Sequence, residues 1–108
     1  MAIKLPTPIE IYFTSGNAND AAGLEQCFAA DAVVRDEAKT TEGLAAIKAW
    51  RIETKRKYSF TAEPLAIAHR DGKIVVTAKV LGNFPGSPID LDHTFTLQGD
   101  KIVALEIG

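Results

Sequence analysis

Cysteine is nearly absent from this sequence, which has a single one, Cys27, among 108 residues. One cysteine cannot form a disulfide within the chain, and no Cys/His cluster has the spacing of a zinc site. A reducing compartment suits such a sequence best, so we expect a cytosolic protein without a metal. The opening stretch MAIKLPTPIE lacks a long apolar run, so we expect neither a signal peptide nor a membrane-spanning helix.

Other signatures of common function classes are also missing. The 12 basic and 14 acidic side chains give a net charge of −2, rather than the basic excess of a nucleic-acid-binding domain. The sequence has no glycine-rich phosphate loop and no nucleophile elbow around a serine. We therefore expect no nucleic acid and no membrane among the partners, and no cofactor.

What is present is the composition of a globular protein, with 46% hydrophobic and 24% charged residues. The length fits one domain, which we expect to span residues 1–108. The first half has helical patterns and the second half has strand patterns. This segregation predicts an α+β fold rather than alternating β and α units.

The first two of three predicted helices lie before residue 30. Thr7 is the predicted cap of the first helix, with Pro8 at its first position and Tyr12 on its inner face. Asp20 is the predicted cap of the second. Its buried stripe is predicted to be Leu24, Cys27 and Phe28. A short strand, AVVRDE at 32–37, should follow.

The third predicted helix carries both an apolar face and the only basic run of the sequence. Thr41 is its predicted cap. Its apolar face is predicted to comprise Leu44, Ala45, Ile47, Ala49, Trp50 and Ile52. The run RIETKRK, residues 51–57, is interpreted as the solvated end of this helix, where cations favour the dipole, rather than as an anion site.

Four antiparallel strands are predicted in the second half, at 60–70, 73–84, 89–98 and 101–107, with a hairpin turn at Asp71-Gly72. A curved sheet wrapped over helices would enclose a pocket for a small, mostly apolar ligand. Both faces of the second of these strands are partly apolar. This predicts a homodimer through the exposed face of the sheet.

These stretches together resemble the SnoaL-like branch of the NTF2-like superfamily, which includes polyketide cyclases and ketosteroid isomerases. The resemblance runs from about residue 8 to residue 107 and is carried by IYFTSGNANDAAGLEQCFAADAVVRDE, TTEGLAAIKAW and DHTFTLQGDKIVALEI. It implies a cystatin-like cone, with three N-terminal helices packed on a curved, mostly antiparallel sheet. It does not imply one function, because this fold hosts many chemistries and some non-enzymes.

Asp36 and Tyr12 are the first candidates for chemistry. Alternation along AVVRDE puts Asp36 on the face of Ala32 and Val34, which should point toward the helices. In the isomerases that the chain resembles, the matching acid is the general base and the matching tyrosine donates a hydrogen bond to the oxyanion. Alternatively, Asp36 caps a turn or pairs with Lys39, and Tyr12 is a core residue with its hydroxyl at the pocket rim.

The stretch DLDHTFTL, residues 90–97, provides the third candidate. Alternation groups Leu91, His93 and Phe95 on one apolar face, which leaves Asp92 facing solvent. His93 then stands where the isomerases have a second pocket acid, which argues against steroid isomerisation. His93 could donate a hydrogen bond to an oxyanion, pair with Asp36, or be a hydrogen-bonded core histidine.

Aromatic side chains should supply the pocket walls, and Trp50, Phe28, Phe60 and Phe95 are the predicted ligand contacts. The first functional hypothesis is a cofactor-independent enzyme of isomerase or cyclase type. In it Asp36 is the base, and Tyr12 and His93 are its hydrogen-bond or acid partners. The alternative hypothesis is a non-catalytic ligand-binding or dimeric interaction module.

Overall fold

The computed structural model describes residues 4–18, 21–36, 39–57 and 59–108. The elements, in chain order, are α1 (Thr7–Asn17), a 3-10 helix (Ala21–Gln26), β1 (Phe28–Asp36), β2 (Lys39–Glu42), α2 (Leu44–Lys57), β3 (Phe60–Arg70), β4 (Lys73–Gly82), β5 (Ile89–Gln98) and β6 (Lys101–Ile107). Helices come first and most strands follow, so the fold is α+β, as predicted. None of the described helices is long and apolar enough to cross a membrane.

One six-stranded sheet organises the molecule, in the order β2-β1-β6-β5-β4-β3. Strands β3 to β6 form the antiparallel meander that the alternating pattern predicts. β1 runs parallel to β6, and β2 pairs antiparallel with β1. The sequence did not predict β2, whose four residues, KTTE, include no apolar side chain and therefore give no alternating signal.

The first helix starts at Thr7 itself rather than after it. Pro6 occupies the cap position, no side chain caps the helix, and the N–H of Glu10 donates to the carbonyl oxygen of Pro6 at 2.9 Å. Pro8 still falls in the first turn, where its missing N–H is harmless. Tyr12 is buried on the inner face, as predicted.

The residues that the structure describes form two α-helices, so the prediction of three is wrong. The second predicted helix is a 3-10 helix of six residues, and Phe28, which was assigned to its buried stripe, begins β1. Leu24 and Cys27 are buried as predicted. A segment this short cannot complete two α-helical turns, which favours the tighter 3-10 form. Its predicted cap, Asp20, lies outside the described residues.

The third predicted helix begins at Leu44, two residues later than a cap at Thr41 implies, and presents a different face. Thr41 belongs to β2, and Gly43 adopts a positive φ of 92° just before α2. The predicted apolar face is wrong in part, because Ala45, Ala49 and Ile52 are exposed. Ile47 and Arg51, one turn apart, are the buried residues of the helix. Alanine gains little from burial, so it is a weak guide to which face turns inward.

The core fills the space between α1, the 3-10 helix, α2 and the concave face of the sheet. Its fully buried large side chains are Ile9, Leu24, Cys27, Phe28, Val34, Ile47, Val76, Phe95, Ile102 and Leu105. Tyr12 meets Phe28 and Phe95 edge-on, with ring centroids 5.9 and 5.5 Å apart. Burial raises the pKa of the Cys27 thiol to about 11, so this cysteine packs as an unreactive apolar group.

Candidate functional site

A cavity of about 360 Å³ lies between the two α-helices and the concave face of the sheet. This volume is in the range of small-molecule sites. Apolar and aromatic residues form most of its wall. The polar side chains that line it are Tyr12, Asn17, Asp36, Arg51, Thr54, Lys55 and His93.

The register of three neighbouring strands places two of these polar residues in one row. His93 of β5 lies opposite Ile107 of β6, and Ile107 lies opposite Asp36 of β1. Residues opposite one another share a face of the sheet, so all three point into the cavity, and all three line it. Two strand spacings separate Asp36 from His93, about 10 Å between their Cα atoms. A ligand can therefore lie over Ile107 with Asp36 and His93 on either side.

Tyr12 is held at the cavity by a hydrogen bond from Arg51. The guanidinium Nη2 donates to the Tyr12 hydroxyl oxygen, and both residues are buried, at 3% and 7% exposure. Burial raises the pKa of Tyr12 above its ordinary value, although the positive charge of Arg51 acts in the opposite direction. The phenol therefore stays protonated. Because Arg51 can only donate, the hydroxyl proton of Tyr12 is not used in this bond.

Arg51 is surrounded by aromatic rings. Its Cζ atom lies 4.6 Å from the ring centroid of Trp50, 5.1 Å from that of Tyr12 and 5.8 Å from that of Phe60. These distances are within the range of cation–π attraction. Its Nε atom is buried and has no hydrogen-bond partner. Arg51 therefore keeps one donor that nothing in the described structure satisfies.

His93 faces the cavity and Asp92 faces solvent, which confirms the prediction from alternation. His93 is 4% exposed. The exposed Asp92 carboxylate accepts a hydrogen bond from the Thr77 hydroxyl at 2.7 Å. Burial lowers the pKa of His93 to about 4, against the opposing effect of its bonds to the backbone of Leu91 and Val76. The imidazole is consequently neutral at neutral pH.

The Nδ1 atom of His93 lies 3.2 Å from the carbonyl oxygen of Leu91. A carbonyl oxygen only accepts, so Nδ1 carries the proton in this contact and Nε2 is an acceptor. No direct hydrogen bond joins His93 to Asp36 in the described structure, because Ile107 stands between them. The predicted His93–Asp36 pairing is therefore absent from this structure.

Asp36 ends β1 at the cavity and is half-buried, with Ala32 and Val34 fully buried behind it on the same face. The predicted inward orientation of Asp36 is confirmed by its place in the cavity lining. Lys39 is its cross-strand neighbour in β2. The carboxylate thus stands between the apolar cavity and the exposed Lys39.

Two of the four predicted aromatic contacts line the cavity and two do not. Trp50 and Phe60 form part of its wall. Phe28 and Phe95 are 1% and 0% exposed in the core and are not part of the lining, so their predicted role as ligand contacts is corrected. Phe95 lies two residues beyond His93 on β5, deeper in the cone, where the core closes over it.

The SnoaL-like domain family matches residues 9–105, nearly the whole chain. This chain belongs to the SnoaL-like family. The crystal structure of a "putative polyketide cyclase" from Sinorhizobium meliloti is similar over nearly its whole length. It has a TM-score of 0.91 and 41% sequence identity, over 96% of this chain and 95% of that one.

Two more distant structures have the same fold. A protein with a ketosteroid isomerase-like fold from Catenulispora acidiphila, crystallised with trimethylamine, has a TM-score of 0.83 at 17% identity. That match covers 97% of this chain and 86% of the other. A cystatin-fold protein from Novosphingobium aromaticivorans has a TM-score of 0.78 at 15% identity, over 99% of both chains. At such identities the likeness shows the fold alone. No functionally curated protein matches the sequence.

The sequence of this SnoaL-like protein concealed the place of Arg51 in the cavity wall. Arg51 was interpreted as part of a solvated basic run, yet it is buried against Tyr12 and lines the cavity. The signal that could have found it is its spacing: Leu44, Ile47, Arg51 and Thr54 recur every three or four residues on one face of α2.

Lys55 of the same run also reaches the cavity of this SnoaL-like protein. Its Nζ donates to the carbonyl oxygen of Phe60 and lies 4.0 Å from the centroid of the Phe60 ring. Burial lowers the pKa of Lys55 to about 8, and the charge of Arg51 acts in the same direction. The remaining basic residues, Arg56 and Lys57, are exposed, as predicted.

Proposed function

We propose that this SnoaL-like protein is a cofactor-independent enzyme of isomerase or cyclase type that moves a proton next to a carbonyl group of a small, mostly apolar compound. The observation that carries the proposal is the hydrogen bond from Arg51 to the Tyr12 hydroxyl oxygen. It leaves the Tyr12 proton to be donated to a ligand oxygen. A donor that itself accepts from a cation is polarised and becomes a stronger donor.

Asp36 is the proposed general base. A carboxylate at the edge of an apolar cavity is less solvated than one in water, and this makes it a better acceptor of a carbon-bound proton. The negative charge lost by Asp36 develops on the carbonyl oxygen of the ligand. Tyr12 donates to that oxygen, and the charge of Arg51 behind Tyr12 stabilises it further.

His93 is proposed to orient the ligand. Its ring is neutral and its Nε2 is the acceptor nitrogen, so it fits a hydroxyl or another donor group of the ligand. With its pKa near 4 it is too weak a base to compete with Asp36 for the reacting proton. The row formed by His93, Ile107 and Asp36 sets the distance between the oriented group and the reacting carbon.

The likeness to the Sinorhizobium meliloti structure supports the choice of reaction type, because 41% identity over nearly the whole chain extends beyond the fold. The polyketide cyclase type implies an intramolecular carbon–carbon bond closure. The isomerase type implies return of the proton to another carbon. Both begin with the same proton removal by Asp36, so one experiment tests the common step.

The experiment follows exchange of carbon-bound protons for deuterium by NMR, in a panel of cyclic ketones and β-diketones. We expect the wild-type protein to accelerate exchange for part of this panel. Asp36→Asn should lower that rate about 100-fold or more, since general base catalysis contributes 10²–10⁴-fold. Tyr12→Phe should also lower the exchange rate, because it removes the hydroxyl that donates a hydrogen bond to the ligand oxygen.

Asp92→Asn is the matched control. It makes the same chemical change on the outward face of β5, where Asp92 is exposed and bonded to Thr77. Its exchange rate should equal that of the wild-type protein. A full rate in Asp36→Asn would refute the role of Asp36. Ligand binding without any accelerated exchange would favour the non-catalytic binding module.

We also propose that the protein is a cytosolic homodimer that associates through the outer face of the sheet. Val75 and Leu81 of β4 point outward, and Leu81 is 53% exposed. Ala66 and Ala68 of β3 lie opposite outward residues of β4 and leave the face flat enough for a second copy. Light scattering at micromolar concentration should give the mass of a dimer, and Leu81→Glu should give the mass of a monomer.

A further inference from the structure

Arg51 places a permanent positive charge inside the molecule. Its side chain is 7% exposed, and a guanidinium does not deprotonate in proteins. The ion pairs recorded among the described residues join Lys48 to Glu25 and Arg56 to Glu53, and neither includes Arg51. A buried charge is strongly unfavourable unless partners offset it.

The partners that Arg51 does have offset this penalty only in part. Three aromatic rings surround the guanidinium, and the Tyr12 hydroxyl accepts one of its hydrogen bonds. Each of these partners is neutral. The buried Nε donor has none. A buried cation that lines a cavity and has only neutral partners indicates that its complement is an anion brought by a ligand.

The charges around the cavity have the opposite sign to those of the whole chain. Among the described residues that line the cavity, Arg51 and Lys55 supply two cationic groups, Asp36 supplies one carboxylate, and His93 is neutral. The chain as a whole has a net charge of −2. A local positive excess within an acidic protein attracts anions into the cavity and excludes cations.

We infer that the ligand of this cavity carries an anionic oxygen, as a carboxylate or as an ionised enol, and that Arg51 binds it. The ring system of the ligand lies against Trp50, whose indole lines the cavity beside the guanidinium. A carboxylate matches the forked donors of arginine better than a neutral carbonyl does. The inference rests on the proposed function only in taking this cavity as the ligand site.

The test compares two ligands of nearly the same shape that differ in charge, 1-naphthoate and 1-naphthamide. Isothermal titration calorimetry at pH 7 and low salt measures both dissociation constants. We expect the wild-type protein to bind the carboxylate at least about ten-fold more tightly, in line with a hydrogen-bonded charge pair. Arg51→Met should bind the two equally, within about three-fold.

Two further variants keep the test decisive. Arg56→Met makes the same change on the exposed side of α2 and should retain the wild-type preference. Arg51→Lys keeps the positive charge but loses the paired N–H donors of the guanidinium, so it should retain part of the preference for the carboxylate. This variant replaces Arg51→Met in the test if Arg51→Met does not fold. Equal affinities in the wild-type protein, or an unchanged preference in Arg51→Met, would overturn the inference.

This readout is independent of turnover. A preference for the carboxylate without any deuterium exchange would sustain the anion site and refute the proposed enzyme. Accelerated exchange on neutral ketones without any preference for the carboxylate would support the proposed enzyme and refute the anion site.

Discussion

The closed end of the cone, which the core fills, and its open end, which holds the cavity, share the four elements α1, β1, α2 and β5, yet they differ in character. Each element contributes an apolar residue to the closed end and, a few positions along, a polar residue to the open end. These pairs are Ile9 and Tyr12 on α1, Val34 and Asp36 on β1, Ile47 and Arg51 on α2, and Phe95 and His93 on β5. The polar residues are far apart in sequence and meet because every element reaches the same end of the cone.

The spacing within each pair follows from the geometry of its element. On a strand, the next residue on the same face is two positions away, and on a helix it is three or four. One step of either kind moves a side chain from the closed end to the open end. From this comparison we expect stability to depend mainly on the closed end and ligand binding on the open end. The predictions below test that separation.

The largest effect should come from truncating the closed end. Phe95→Ala removes a ring that is 0% exposed, and we expect the free energy of unfolding to fall by about 3–5 kcal/mol. Urea unfolding measures it. Ile52 of α2 is 49% exposed, and Ile52→Ala should change the free energy of unfolding by no more than about 0.5 kcal/mol. A loss below 1 kcal/mol in Phe95→Ala would mean that the closed end is not the main source of stability.

The open end should make stability depend on pH through His93. Burial lowers its pKa to about 4 from an ordinary value of 6.5, so folding favours the neutral ring. This contribution is complete above pH 6.5 and is lost as the pH falls toward 4. It amounts to on the order of 3 kcal/mol.

Urea unfolding between pH 7 and pH 4 measures this dependence. His93→Gln should lose less stability over the range than the wild-type protein does. His69→Gln, which changes an exposed histidine at the end of β3, should follow the wild-type curve. Coincident curves for His93→Gln and the wild-type protein would show that His93 does not titrate as its burial requires.

The pairing of β3 with β4 at the open end should be sensitive at one glycine. A Cβ atom at Gly82 would meet the carbonyl oxygen of Ser59 and would lie 2.6 Å from the Cβ of Phe60. We expect Gly82→Ala to lower the free energy of unfolding by about 1–3 kcal/mol through overpacking. Gly16→Ala, in α1, meets no atom within 4 Å and should raise it by up to about 1 kcal/mol. Equal effects at both glycines would contradict the close approach of β3 and β4.

The smallest effect on stability should follow removal of the buried charge. Arg51→Met gives up cation–π contacts and the bond to Tyr12, but it also removes the desolvation penalty of the guanidinium. Replacing a buried charge with an apolar residue is often neutral or stabilising, so we expect a change within about 1 kcal/mol. A loss above 2 kcal/mol in thermal or urea unfolding would mean that the open end also carries stability.

The strands of the meander could be predicted because alternation and the Asp71-Gly72 turn are local signals. The parallel pairing of β1 with β6 could not, since it joins residues about 70 positions apart and leaves no trace in either segment alone. The 3-10 helix was wrongly predicted to be an α-helix for a different reason. Its apolar spacing is compatible with an α-helix, and only the early start of β1 at Phe28 limits its length.

The site was predictable where a residue's orientation follows from its own strand. Alternation placed Asp36 and His93 inward and Asp92 outward without any knowledge of their neighbours. Arg51 was missed because its burial depends on residues from other elements. Tyr12 and Phe60, which surround the guanidinium, come from α1 and β3. A charged residue in a basic run cannot reveal such partners.

Asn17, at the end of α1, has a consequence for assembly. Its side-chain amide donates to the carbonyl oxygen of Ala62 and accepts from the N–H of Ala62, both at 2.8 Å, as a neighbouring peptide group would. Ala62 belongs to β3, an outermost strand of the sheet, and Pro64, two residues on, has no N–H to offer. A strand from another molecule that approached this edge would find one pair of groups occupied and the next donor missing. Addition of a foreign strand is therefore disfavoured at this part of the edge.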